Sequence, residues 1–457
     1  MGRGLKNVKM KSTKIPTSST TDELLPGVFA VLFGLVLGLT LLKFGTPVIL
    51  DTMVARPTNV YEWILNSWPI KAGYWLLGGV AMVGLLVARW QTKAPRVIVV
   101  LPLVWLGWQF VAGTQTVDAE LTAATLKHFT ACVVCFYLGL LALNRAQNLS
   151  LFGIGLLGGF LVVVTSGLQQ HFGGLEETRQ YFYQYIYPNL KEVPPEYLKK
   201  MSSDRIFATL FYPNALAGVL LMLLPGMLAM LWQAGEQRLT AASRGFLMVV
   251  LGLVALACLY WSGSKGGWLL MLLLGMIALL RLPFRQQFKI FLVVGVLLAG
   301  LAGFFWKYSG FFERGATSVS ARFDYWRAAV ETTKENPAFG SGPGTFSIAY
   351  KKIKKPESEM ARLAHNDYLE QASDSGMVGF LAYLAWVTGS LAFIYRNVGF
   401  KGDWLKFSIW LGLLGWSLQS LVEFGLYIPA LAWPAFSLLG WLLGRAANQI
   451  DNRPPAR

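Results

Sequence analysis

SVSARFDYWRAAVETTKENPAFGSGPGTFSIAYKKIKKPESEMARLAHNDYLEQASDSGMVGF, residues 318–380, is the stretch that decides the fold. It is polar and charged, and it holds three close glycines (Gly340, Gly342, Gly344) and one histidine, His365. Apolar chain lies on both sides of it. The flanking sequence is built of Leu-, Val- and Gly-rich runs of about 17–21 residues, the length a helix needs to cross ~30 Å of hydrocarbon. They are too long and too uniformly apolar for barrel strands, which alternate over ~10 residues. The 457 residues are 54% hydrophobic and 14% charged, against roughly 25% charged in a soluble chain. The expected fold class is therefore an all-α polytopic membrane protein with a large, mostly helical loop before its tenth span. Irregular charged segments carried on a rigid scaffold are the usual seat of function.

Twelve spans are expected, at 25–43, 73–90, 97–113, 123–143, 150–167, 214–232, 245–261, 266–281, 288–306, 377–395, 404–422 and 427–444. This divides the chain into a basic tail at 1–24, spans one to nine over 25–306 with an outer loop at about 168–213, a large loop at 307–376, spans ten to twelve over 377–444, and a second tail at 445–457. Lys and Arg gather in short loops on the inner side. With both termini in the cytoplasm, almost all of the net charge of +16 falls on the inside segments. The first apolar run is too long for a cleaved signal and has no small-residue cleavage site.

A pI near 9.7 would suit a nucleic-acid binder. Here the excess charge sits in short loops and a tail, where it sets orientation and meets anionic lipid. Nucleic acid is thus excluded as a partner, and membrane lipids are expected. Three cysteines make no disulfide framework. Cys132 and Cys135 share a helical face with His128, but inside an apolar span, where small soft residues pack against a neighbouring helix. There is no P-loop, no dinucleotide fingerprint and no H-E-x-x-H metal motif, so no cofactor or metal is expected.

Other polar positions stand out. Tyr181, Phe182, Tyr183, Tyr185 and Tyr187 suit either stacking on sugar rings or anchoring a loop to the membrane, and His171 reads as interfacial. Lys265 is the lone charge in the hairpin SGSKGG, a turn whose amides could hold an anion. Residues 357–373 are expected to form a helix that carries His365 near Arg362. Glu423 is an acid near the membrane boundary, equally suited to function and to snorkelling.

Five pieces together carry a family resemblance: Arg205 with Tyr212-Pro213-Asn214, the turn SGSKGGW, Arg322 followed by Trp326, the turn Gly340-Ser-Gly-Pro-Gly344, and His365-Asn366-Asp367-Tyr368-Leu369. In these the chain resembles the O-antigen ligase and polymerase superfamily of bacterial envelope glycosyltransferases, over about residues 200–380. The resemblance implies transfer of a glycan from an undecaprenyl-diphosphate carrier to an acceptor at the periplasmic face of the inner membrane, without nucleotide or metal. The acceptor would be lipid A–core for a ligase, another carrier-linked glycan for a polymerase, or a protein hydroxyl. The resemblance also implies an essential loop histidine, matched by His365, and basic residues near the diphosphate, matched by Arg205 and Arg322. Lys265 departs from the usual Arg of its turn and so lacks the bidentate fork that suits phosphate. Gly340, Gly342, Gly344, Asn366, Asp367 and Tyr368 are the expected substrate-binding residues beside Lys265.

The chemistry agrees with that reading. A diphosphate leaves without an acid if fixed cations stabilise it. An attacking hydroxyl gains from a base, and neutral imidazole serves near pH 7. His365 is the expected base, with Arg205, Arg322 and Lys265 as the clamp. A transporter of lipid-linked sugars is the rival from another class. It would usually show an inverted repeat and charges at mid-membrane, and this sequence shows neither.

Overall fold

The computed structural model describes residues 20–146, 149–189, 198, 202–210, 212–236, 238–313, 317–356, 358–400 and 402–451. The expected tails fall largely outside these: 1–19 and 452–457 are not among the described residues. The structure is helical, with no strand among the described residues.

Sixteen α-helices can be followed among the described residues. They are α1 Thr20–Lys43, α2 Val60–Leu65, α3 Ile70–Val87, α4 Arg96–Gly113, α5 Ala119–Tyr137, α6 Ser150–Gln169, α7 Leu175–Tyr181 and α8 Pro213–Ala234. There follow α9 Ala241–Trp261, α10 Lys265–Arg281, α11 Gln286–Glu313, α12 Thr317–Glu335, α13 Phe346–Ile353, α14 Asp367–Asn397, α15 Trp404–Gln419 and α16 Pro429–Asp451. Local chemistry sets many of the starts. Asn59, Asp118, Thr240, Ser264, Asn366 and Asp403 each accept an N–H of the first turn, and Pro213 opens α8 where its missing N–H costs nothing.

Every expected span falls on one of these helices. Among the described residues, nine are long and apolar enough to cross a membrane. The expected count of twelve is reached only with α10, α15 and α16. The first two are the shortest of the twelve, with 17 and 16 residues, and α16 mixes Pro434 and Arg445 into its apolar run.

In lipid, association needs close packing rather than hydrophobic drive, and small residues provide it. Gly34 and Gly38 of α1 face Gly155 and Gly159 of α6 in a reciprocal G-x-x-x-G pair. A Cβ on Gly38 would lie 2.2 Å from the Gly155 carbonyl oxygen, so any larger residue would push the two helices apart.

The loops sort to two ends. At one end, Trp68 N–H bonds to Lys43 O, Arg179 reaches Asp204, Val117 N–H meets Ser341 O, and Ala430 N–H meets Phe44 O. At the other, Arg89 N–H bonds to Leu141 O and Arg445 to Ala146 O. The loops assigned to the outer side by charge thus come together, and so do those assigned to the inner side.

Candidate active site

Glu423, in the turn between α15 and α16, is the centre of the loop end. Its side chain is only 7% exposed and faces donors on every side. Oε1 accepts from Arg322 Nη2 at 2.5 Å and Asn214 Nδ2 at 2.6 Å. Oε2 accepts from the Tyr212 hydroxyl at 3.0 Å and lies 3.2 Å from His365 Nδ1. Behind Asn214 stands Arg205, whose Nη2 donates to Asn214 Oδ1 at 2.8 Å and whose Nε donates to Ser262 O at 2.7 Å. Three residues far apart in the chain and expected to act together, Arg205, Arg322 and His365, are joined through one carboxylate and one amide.

Each element has a local reason for its place. α12 carries Arg322 and Tyr325 one turn apart, and Tyr325 lies along the His365 ring at 5.9 Å between centroids. Phe424 meets the imidazole edge-on at 4.7 Å and stacks on Tyr212 at 4.9 Å. The segment 202–210 is held by Gln170, whose Oε1 accepts the N–H groups of Phe207 and Ala208 and whose Nε2 donates to Ala208 O. The turn before α10 bends at Gly263, φ +62°. A Cβ there would sit 3.0 Å from Arg205 Nε, so glycine leaves the guanidinium its path to Ser262 O.

His365 corrects the expected helix over 357–373. The helix begins only at Asp367, and His365 precedes the Asn366 cap with φ +51°. A non-glycine residue in that region costs about 1 kcal/mol or more and persists only where its surroundings hold it. Here Glu423, Phe424 and Tyr325 hold it. The Nδ1–H to Glu423 contact leaves Nε2 as the acceptor nitrogen on a side chain 26% exposed.

The electrostatics follow from the contacts. Burial alone would raise the Glu423 carboxyl, but the Arg322 charge, the His365 contact and the Tyr212 hydroxyl outweigh it and bring it down to about 2. Burial and the Glu423 charge push the Tyr212 phenol well above its usual value, so it stays a donor. Burial also lowers Arg205, against the pull of Glu423. Lys265 stands half-buried at the start of α10 with its ammonium 5.1 Å from the Tyr308 ring centre, and Lys307 donates to Tyr260 O. Arg205, Arg322, Lys265 and Lys307 thus bring four positive side chains to the region of Glu423.

The remaining predicted residues do not meet that cluster. Gly340, Gly342 and Gly344 are buried and latch onto the first turns of α14. Ser341 N–H bonds to Ser373 O, Gly342 N–H to Asp374 O, and Gly344 N–H to Asp374 Oδ2. Asn366 caps α14, Asp367 takes the Leu426 N–H on Oδ2, and the Tyr368 hydroxyl bonds to Ser417. These side chains and amides are spent on holding the loop that carries His365. The helix they secure breaks at Ser375 and Gly376, where φ is +68° and Met377 N–H bonds to Pro337 O.

Elsewhere, His128 has both ring nitrogens engaged, by Leu426 O and by Trp433 Nε1, with Cys132 Sγ 3.6 Å away. Among the described residues no three His, Cys, Asp or Glu side chains are grouped to hold a metal. His171 stacks on Trp261 at 3.7 Å. The tyrosines of 181–187 pack on one another, and Tyr181 reaches Asn66 and Glu62. Sequence reasoning missed the central part of Glu423, and with it Tyr212, Asn214, Phe424 and Tyr325 as partners. The signals present were an acid at the membrane boundary and the Tyr-Pro-Asn run seven residues after Arg205.

The multi-pass helical bundle thus gathers a histidine, a carboxylate and two guanidiniums at one end. Residues 250–384 match the family Wzy_C, described as O-Antigen ligase. That match covers under a third of the chain and supports a likeness to the O-antigen ligase-like superfamily. It takes in Lys265, Arg322, the glycine turn and His365, and leaves Arg205, Asn214 and Glu423 outside. The chain is also 33% identical over 87 residues to an uncharacterized protein of Haemophilus influenzae, which is 18% of this chain and 22% of that one. The matched part thus spans under a quarter of that relative's length.

Proposed function

We propose that the chain transfers a glycan from an undecaprenyl-diphosphate carrier to an acceptor hydroxyl, as an O-antigen ligase acting on lipid A–core, with the loop end facing the periplasm. His365 Nε2 takes the proton of the acceptor hydroxyl. The freed oxygen attacks the anomeric carbon, the bond from that carbon to the diphosphate oxygen breaks, and the diphosphate leaves with the electron pair. One displacement gives inversion. Arg205, Arg322 and Lys265 stabilise the leaving diphosphate. Glu423 turns the Nδ1–H inward and so keeps Nε2 free for the proton.

The observation that carries this reading is the set of contacts on Glu423, which ties the base to one guanidinium directly and to the other through Asn214. Among the described residues, Arg322 Nε also has no hydrogen-bond partner. The test is transfer by purified protein from a lipid-linked glycan to lipid A–core, without nucleotide or added metal and with EDTA present. Product with inverted linkage supports the reading, and dependence on a nucleotide or a metal would sink it. A deletion strain separates ligase from polymerase, because loss of a ligase leaves polymer on its carrier and loss of a polymerase leaves single repeat units.

A further inference from the structure

α5 has two working faces. One carries His128, bonded to Leu426 of the turn that holds Glu423. The other, with Lys127, Ala131 and Val134, walls a groove shared with α3. This cavity of about 710 Å³ continues along α3 past Tyr74, Leu77, Gly78 and Ala81. It plays no part in the cluster around Glu423.

The groove is charged at one end and apolar along the rest. Lys71, in the first turn of α3, and Lys127 both line it, together with Asp51. Both lysines are exposed, and neither ammonium has a hydrogen-bond or ion-pair partner among the described residues. Asp51 is turned aside, with Oδ1 taking the Ile70 N–H at 2.8 Å. Because His128 touches the loop-end turn, the neighbouring Lys127 stands at that same level. From Lys71 to Ala81 the groove runs ten residues of helix, about 15 Å at 1.5 Å per residue. That is half of a ~30 Å hydrocarbon core, the depth of one leaflet.

We propose that this groove holds one anionic phospholipid of the leaflet at the loop end, with its phosphate between Lys71 and Lys127 and an acyl chain lying past Tyr74 and Gly78 toward Val134. Two cations against one engaged carboxylate select a negative headgroup. The one-leaflet length selects a lipid over a free anion. A lysine at the membrane boundary gains ~1 kcal/mol from an anionic headgroup. The proposal is independent of the transfer chemistry at Glu423.

The test uses the full chain in detergent with equimolar phosphatidylglycerol and phosphatidylethanolamine, read by native mass spectrometry. Preferential retention of phosphatidylglycerol is expected. The Lys71→Gln/Lys127→Gln variant should bind it about 25-fold less tightly, taking ~1 kcal/mol per basic residue at the headgroup and 1.4 kcal/mol per tenfold. Gly78→Leu is a second probe. A Cβ at Gly78 meets nothing within 4 Å, so the variant folds and fills the groove instead. It should displace the retained lipid while both lysines remain. Three results would overturn the proposal: equal retention of the two lipids by the wild type, unchanged retention by both variants, or a polyprenyl diphosphate displacing phosphatidylglycerol at equal concentration.

Discussion

Replacing Glu423 by Gln tests the centre of the site with almost no change of shape. All four contacts of the carboxylate are with donors: Arg322 and Asn214 on one oxygen, Tyr212 and His365 on the other. An amide has one oxygen and one NH2, so its nitrogen must face two donors whichever way it turns. Facing His365, it forces the imidazole to accept at Nδ1 and carry its proton on Nε2, where the base should be free. Facing Arg322, it meets a guanidinium. The lost charge can be sized. A carboxyl held at about 2 instead of 4.5 represents ~3 kcal/mol of stabilisation of the ionised form, at 1.36 kcal/mol per pH unit. The sign is that of a lowered folded-state value: the stability is present above 4.5 and is lost as pH falls toward 2. The wild type should therefore melt progressively lower from about pH 4.5 down to pH 2. The variant should be less stable by ~3 kcal/mol at pH 7 and lose less on acidification. If most of that energy also orients the base, turnover falls ~10²-fold. The assays are thermal melting across pH in detergent and initial rates of glycan transfer. A variant with wild-type rate and an unchanged acid limb would refute the reasoning, because Glu423 would then be neither the anchor of His365 nor an ionised partner of Arg322.

Further outcomes follow from the same geometry. His365→Ala should lower turnover ~10²–10⁴-fold with donor binding retained, as read by rates beside a donor-binding titration. Arg205→Ala and Arg322→Ala should abolish transfer in protein that still purifies folded, and Arg322→Lys should recover little because a point charge cannot replace the fork. Gly376→Ala should prevent accumulation of folded protein. Its Cβ would lie 2.2 Å from Ala338 O at a φ of +68°, and a melting curve on any surviving fraction checks this. Single cysteines at 352 and 365 should be labelled from outside the cell, and those at 93 and 285 should not. The reverse pattern would turn the site away from its acceptor.

The amino-acid sequence by itself determined the class of this protein. Hydrophobic length and charge asymmetry are local properties that lipid enforces directly, so the helices fall on the expected runs and the loops sort to two ends. The same is true of the residue types: a lone histidine, isolated arginines and a glycine-rich turn were legible as candidates one by one. Tertiary structure decided what each of them does. The glycines, expected at the substrate, have backbone bonds to α14, because Ser373, Asp374 and Gly344 meet only after the chain has folded back across about thirty residues. His365 was expected on a helix. Its positive φ is held by Glu423, Phe424 and Tyr325 from two other segments, which no propensity encodes. Glu423 reads equally as a functional or a snorkelling acid until Arg322, Asn214, Tyr212 and His365 converge on it. A carboxylate's role depends on which donors surround it, and those come from segments up to about two hundred residues apart.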